Sequence, residues 1–171
     1  MKLRIIKLPK KKIVKSKINL AIVPAREGSK GIKNKNLLKI NNSYLTSIAI
    51  NIGLSIKYFD FVVFSSDSQK ILNCYKSHKR LFKIKRNKKL AKDETPMIDV
   101  LKNSILKTEN FTNKKVFSIT ILDPTSPLRK ISDIKKAIKI FKKESPDCLI
   151  SAHEADYSPY FTMLEKKGKF Y

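Results

Sequence analysis

The sequence predicts a three-layer α/β domain on a largely parallel sheet, and three observations carry that expectation. Short continuous apolar runs alternate with longer segments of helical spacing in the order βαβαβαβαβ. Most of these runs are apolar enough to be covered on both faces, as the strands of a parallel sheet are. A length of 171 residues with 42% hydrophobic content suits one domain around one core.

The elements follow in order. Ile18–Pro24 is the opening strand, and spacing near 44–57 predicts the first helix. Phe61–Ser65 and a helix near 68–78 come next, then Leu81–Lys85 and a helix near 96–108. Val116–Leu122 leads to a helix over 131–144, in which Ile131, Ile134, Ile138 and Phe141 recur at three- and four-residue steps. Ser132 and Asp133 stand where an N-cap and a first-turn acid belong, and Cys148–His153 is the fifth strand of the sheet. Right-handed crossovers make this order Rossmann-like, and ligands of such sheets gather at the carboxyl ends of the strands, where strand order reverses. Residues 1–17 carry eight basic and no acidic side chains without sustained periodicity, so they read as a basic arm before a domain at 18–171. Lys167-Gly168 reads as a hairpin turn.

Charge is the strongest compositional signal: 38 Lys plus Arg against 14 Asp plus Glu, a formal +24. Such a surplus attracts polyanions, but the lysines are spread over the whole chain among Ile and Asn, as codon bias in an AT-rich genome also produces. No RNP aromatic pair, zinc pattern, helix-turn-helix spacing or amphipathic basic helix supports a nucleic-acid module, which stays as the alternative from another class. Cys74 and Cys148 lack metal-ligand spacing and fit a reducing cytoplasm. No apolar run approaches the roughly 20 residues of a membrane span, and the basic start before Ile18–Ala25 makes a poor leader because it runs into Arg26 and Glu27.

The strand at 18–24 leads into AIVPAREGSKGIKNKNL, residues 21–37. Gly28 and Gly31 allow a tight turn and close backbone approach, and Arg26, Lys30, Lys33 and Lys35 ring that turn with positive charge. A triphosphate is the natural guest, although the spacing matches neither a P-loop nor GxGxxG. The competing reading is a solvated lysine-rich turn, and the position at a strand's carboxyl end weighs against it. ILDPTSPLR, residues 121–129, follows another buried strand. Pro124 and Pro127 stiffen it, Thr125 and Ser126 offer hydroxyls, and Arg129 supplies a planar donor for a carboxylate or phosphate. FVVFSSDS, residues 61–68, ends in Asp67, which reads equally well as a helix cap and is given no catalytic role. His153 alone reads as structural or exposed.

These motifs resemble the acylneuraminate cytidylyltransferases, whose signature is an apolar strand, Pro-Ala-Arg, a Gly-Ser-Lys-Gly turn and Lys-Asn-Leu. The resemblance implies the nucleotide-diphospho-sugar transferase fold, and a reaction in which CMP passes from CTP to a 2-keto nonulosonic acid with release of pyrophosphate. It implies nucleotide contacts from Pro24, Ala25, Arg26, Gly28, Ser29, Lys30, Gly31, Lys35 and Asn36, with Arg26 and Lys35 catalytic. Arg86 and LAKDETP, residues 90–96, resemble the family's stretch over base and ribose, with Thr95 near the nucleoside; Arg86-Asn87 replaces the usual Arg-Pro. Asp123, Thr125, Ser126, Arg129 and Tyr160 fall where the family meets the sugar acid, Tyr160 within Ser158-Pro159-Tyr160. Asp123 stands where many members have Gln, and an acid there suits Mg2+ or a sugar hydroxyl. Magnesium is the implied cofactor and a homodimer the implied state of the full domain. The resemblance covers about the first three quarters of the usual family chain. The remainder brings the family's dimerisation segment and a magnesium-holding carboxylate pair, so an inactive fragment stays open as a reading, as does a transferase for an eight-carbon ketosugar acid.

Overall fold

The computed structural model describes residues 2–6, 17–28, 31–32 and 34–152. These divide between two compact units, Val14–Arg129 in one and, in the other, Met1–Ile13 with Lys130–Tyr171.

The larger unit is built on four parallel strands: β2 (Lys17–Pro24), β5 (Phe61–Ser66), β6 (Leu81–Lys85) and β7 (Lys115–Ile121), in the order β6-β5-β2-β7. From β2 the chain steps outward through β5 to β6, then returns to add β7 on the far side of β2. Strand order therefore reverses between β2 and β7, which defines the ligand crevice of such a sheet. Ala21↔Val62 and Ala21↔Thr120 fix the registers, and a bulge at Ile18/Asn19 shifts the β2–β7 ladder.

The continuous apolar run of β2 is explained by cover on both faces. Ile18, Leu20 and Ile22 alternate onto one face, where they form a buried cluster with Val63, Ile84 and Leu101 of α3 (Met97–Thr112). The opposite face meets α1 (Leu45–Ser55) at Gly53, where a Cβ would stand 3.0 Å from Val62 Cγ2, 3.2 Å from Leu122 Cδ1 and 3.4 Å from Ala21 Cβ. A helix on each side of the sheet gives the three layers. Burying each Leu, Ile or Phe of this core contributes on the order of 1.5–3 kcal/mol.

Several elements depart from the sequence-based expectation. The helix expected near 68–78 is a single turn, α2 (Gln69–Leu72): Ile71 and Leu72 are buried, whereas Cys74 and Tyr75 are only half-buried and no apolar residue follows them before Leu81. The helix near 96–108 runs on to Thr112 and stops at Asn113, whose left-handed φ of 52° ends it. A hairpin of β3 (Lys39–Ile40) and β4 (Ser43–Tyr44) turns on Asn41 and Asn42, both at positive φ (47° and 62°). Asn tolerates that conformation better than other side chains, so the Asn-Asn pair was the available signal.

In the smaller unit, β8 (Cys148–Ala152) pairs antiparallel with β1 (Lys2–Ile6), from Ile6↔Cys148 to Lys2↔Ala152. Two expectations are thereby corrected: residues 2–6 form a strand within the basic arm, and the fifth strand joins a two-stranded ribbon instead of the parallel sheet. The signal in KLRII is a period-two alternation, too short to stand out beside so many lysines. Between them, α4 (Ile131–Glu144) begins at Ile131 with Lys130 at its N-cap position, so Ser132 lies inside the helix and does not cap it. Asp133 does fall in the first turn. His153, Tyr160 and Lys167-Gly168 lie outside the described residues.

Candidate functional site

Each strand of the parallel sheet ends in a motif residue or, for β6, directly before one, Arg86. Ala25 N–H donates to Ser65 O at 2.9 Å and Leu122 N–H donates to Ile22 O at 2.8 Å. These bonds carry the ladder one residue past each strand, so the chain leaves β2 and β7 side by side at the carboxyl end. The glycine turn and the Asp-Pro-Thr turn consequently share one cavity of about 430 Å³.

Pro24, Arg26, Gly31, Lys35 and Asn36 supply the wall from the first loop. Arg86 and Thr95 supply the wall beyond β6, and Asp123, Pro124 and Thr125 the wall beyond β7. Ala25 is buried behind this surface, and Gly28 lies outside the lining. Ser29, Lys30 and Lys33 lie outside the described residues. Ser126 and Arg129 sit on the 121–129 turn without lining the cavity.

The loop after β2 is held from within. Asn36, 6% exposed, donates from Nδ2 to Arg26 O at 2.8 Å. Lys35–Leu37 forms one turn of 3-10 helix, entered through Asn34 at φ 55°. This turn holds Lys35 on the wall of the cavity that Arg86 also lines. Arg26 forms an ion pair with Asp93, another lining residue.

Arg86 is the most buried charge of the site, its side chain 4% exposed. Burial lowers its pKa, the Asp67 carboxylate opposes that shift, and Arg26 adds to it. Its Nη2 lies 4.0 Å from Asp67 Oδ1, and its Nε has no hydrogen-bond partner. A buried N–H without a partner costs about 1–3 kcal/mol, which a ligand acceptor in the cavity would recover. Asn87, which stands where the family pattern has proline, accepts from Lys89 N–H at 2.9 Å and so caps the short 3-10 turn at Lys88–Ala91. Thr95 Oγ1 donates to Lys89 O at 3.1 Å, closing that segment over the cavity.

Arg129 is engaged with its own turn. Its Nε donates to Ser126 O at 3.0 Å and its Nη2 donates to Asp123 O, so the planar fork clasps the turn's own carbonyls. Burial lowers its pKa and nearby Asp123 opposes the shift. The guanidinium expected to meet a carboxylate thereby sets the shape of the Asp123–Thr125 wall.

Leu90, Lys92 and Asp93 of the 90–96 stretch also line the cavity, as do two residues the sequence did not single out, Met97 and Val100. The usable signal was position: the last two begin α3, whose N-terminus faces the same end of the sheet. Among the described residues no group of three His, Cys, Asp or Glu side chains is placed to hold a metal on its own. Asp123 presents a single carboxylate to the cavity. Magnesium commonly takes one or two protein carboxylates and completes its shell with phosphate oxygens and water, so this donor set fits an ion that arrives with a nucleotide.

The chain matches known proteins over most of its length. A family model described as cytidylyltransferase matches residues 20–169. The post-translational flagellin modification protein B of Campylobacter coli is 34% identical over 146 residues, which is 85% of this chain and 62% of that protein. The pseudaminic acid cytidylyltransferase of Campylobacter jejuni (strain NCTC 11168) is 31% identical over 139 residues, 81% of this chain and 60% of that protein. The N-acylneuraminate cytidylyltransferase of Escherichia coli O18:K1:H7 is 31% identical over 133 residues, 77% of this chain and 30% of that protein. The chain thus spans about three fifths of the length of the flagellin-modification relative. Among solved structures, a CMP:2-keto-3-deoxy-manno-octonic acid synthetase complexed with CTP superposes with a TM-score of 0.57 at 15% identity, over 75% of this chain and 48% of that one. A 4-diphosphocytidyl-2C-methyl-D-erythritol synthase gives 0.53 at 14%, over 74% and 55%. At those identities the two structures speak to the fold alone. Family model and relatives together cover nearly all of the described domain, and the chain belongs to the cytidylyltransferase family, alongside relatives named for acylneuraminate and pseudaminic acid.

Proposed function

We propose that the cavity at the carboxyl end of the sheet binds CTP and, in the complete protein, transfers CMP to a 2-keto nonulosonic acid. The observation that carries the reading is the junction of two turns in one cavity, a glycine turn flanked by Arg26 and Lys35 and an Asp123-Pro124-Thr125 wall facing it. The backbone and cations of the first turn suit a triphosphate, and the carboxylate and hydroxyl of the second suit a polyhydroxylated acceptor.

In this reading the anomeric hydroxyl of the sugar acid attacks the α-phosphorus of CTP. A new P–O bond forms, the bond from the α-phosphorus to the bridging oxygen breaks, pyrophosphate leaves with the electron pair, and the hydroxyl proton passes to water. Lys35 and Arg26 stabilise negative charge as it grows on the phosphoryl oxygens, and Arg26 exchanges the Asp93 carboxylate for phosphate. Arg86, with its unpartnered Nε, offers a donor to an acceptor atom of the nucleotide. Thr125 and Asp123 orient the acceptor. Magnesium bound through Asp123 and the phosphates would neutralise part of the triphosphate charge.

The test is direct. The chain is incubated with CTP, magnesium and a panel of sialic, legionaminic, pseudaminic and eight-carbon ketosugar acids, while pyrophosphate and CMP-sugar are followed by mass. CMP linked to a nonulosonic acid is the expected product. Saturable CTP binding without turnover would mean that residues outside this chain complete the site, and absence of CTP binding would refute the reading.

A further inference from the structure

Asp67 and Ser68 open α2, and residues of this kind at a helix start ordinarily cap it. Here they do not. Ser68 occupies the N-cap position without a side-chain capping bond, and α2 is a single turn. Both side chains instead reach across to the loop that leaves β2. Asp67 Oδ1 accepts from Glu27 N–H at 3.1 Å, and Ser68 Oγ donates to Glu27 Oε1 at 3.0 Å. Glu27 is thus gripped by backbone and by side chain one residue before Gly28.

The same Asp67 oxygen faces Arg86 Nη2 at 4.0 Å, while Arg86 Nε remains without a partner. A guanidinium has one plane, so a carboxylate on the Nη2 edge restricts where the Nε edge points. With a side-chain exposure of 11%, Asp67 is sheltered enough for that attraction to escape most solvent screening.

From this arrangement we infer that Asp67 is a positioning residue for the nucleotide: one carboxylate oxygen sets both the entry of the glycine turn and the orientation of Arg86. The inference rests on the CTP reading above and extends it to a residue that does not line the cavity. Because Asp67 acts through Arg86 and Glu27, its removal weakens binding of the triphosphate without removing any group that touches it.

The decisive experiment is equilibrium CTP titration of wild type, Asp67→Asn, Arg86→Gln and the double variant, with melting temperatures recorded alongside. Asparagine keeps the shape and an acceptor oxygen for Glu27 N–H but removes the charge facing Arg86. Asp67→Asn should raise the CTP dissociation constant about tenfold, the scale of one charged contact. In the Arg86→Gln background the same change should add less than about twofold, since the coupled partner is gone. Where turnover is measurable, KM for CTP should rise with kcat held within about threefold. Equal CTP affinity in wild type and Asp67→Asn would overturn the inference, as would full additivity of the two substitutions. A wild-type chain that binds no CTP would overturn the nucleotide reading first and this inference with it. If Asp67→Asn does not fold, Ser68→Ala is the second variant: it loosens the other grip on Glu27 and should raise the constant two- to threefold, and an unchanged constant there overturns the proposal.

Discussion

The two ends of the parallel sheet hold polar side chains of similar kinds and use them differently. At the amino end they are committed to one another. Asn19 N–H donates to Asp60 Oδ2 at 2.7 Å, Ser118 Oγ donates to Asn19 Oδ1 at 2.7 Å, and the Tyr58 hydroxyl meets Ser118 Oγ at 3.1 Å. Arg80 donates to the carbonyls of Phe59 at 2.9 Å and of Leu54, closing the end of α1. At the carboxyl end, Arg86 Nε and Ser65 Oγ are buried without partners, and Arg26, Lys35 and Arg86 crowd one cavity. The pairing is mutual at the amino end, whereas the unmatched Arg86 Nε leaves a donor that a ligand acceptor in the cavity would satisfy.

That contrast can be broken by substitution. The largest effect is expected from Lys35→Ala, which should lower turnover by roughly 10²–10³, the scale of one lost charge-stabilising donor, with an unchanged melting temperature. An unaltered steady-state rate would remove Lys35 from the chemistry. At the opposite end, Arg80→Ala should cost about 2–3 kcal/mol of stability by stripping the carbonyls at the end of α1, read as a clear drop in melting temperature, and leave CTP affinity within twofold. A loss of affinity without a loss of stability there would erase the distinction between the ends.

Smaller effects sharpen the comparison. Arg129→Lys keeps the charge but loses the fork that clasps Asp123 O and Ser126 O, so KM for the sugar acid should rise about tenfold while KM for CTP stays put. A change in both constants would make Arg129 part of the nucleotide site. The smallest effect concerns Glu109, held below the usual carboxylate range by the hydrogen bond from Lys115 and then by Val116 N–H. Its folded pKa is depressed, so the stability it contributes is complete above the unfolded carboxylate's pKa and fades as pH falls through the folded one. Glu109→Gln should therefore flatten melting temperature against pH in the acid range and leave neutral-pH activity alone.

Much of this architecture was legible because it rests on local periodicity. Leu20–Pro24 of β2 and Phe61–Phe64 of β5 are apolar runs since both faces are covered, and β6 matches its expected bounds, Leu81–Lys85. The Pro-Ala-Arg and Asp-Pro-Thr motifs were found for the same reason: their residue types and spacing are contiguous in sequence. What escaped was non-local. Nothing in the neighbourhood of Asp67 reveals a bond to Glu27 forty positions away. Arg129 was legible as a charged fork, but whether a fork meets a ligand or its own turn depends on how tightly 123–126 folds back. The hairpin at Asn41-Asn42 and the strand at Lys2–Ile6 are short, and short elements derive their stability from partners that a one-dimensional reading does not display.

Gly53 couples the back of the sheet to the Asp123 wall of the cavity. The room it leaves is filled partly by Leu122, the residue immediately before Asp123. A methyl group introduced there would stand 3.2 Å from Leu122 Cδ1 and press on Leu122 from behind, shifting the Asp123 wall of the cavity without altering any side chain that lines it. The shape of the cavity therefore has a dial on the reverse side, worked through helix depth instead of through the residues that line it.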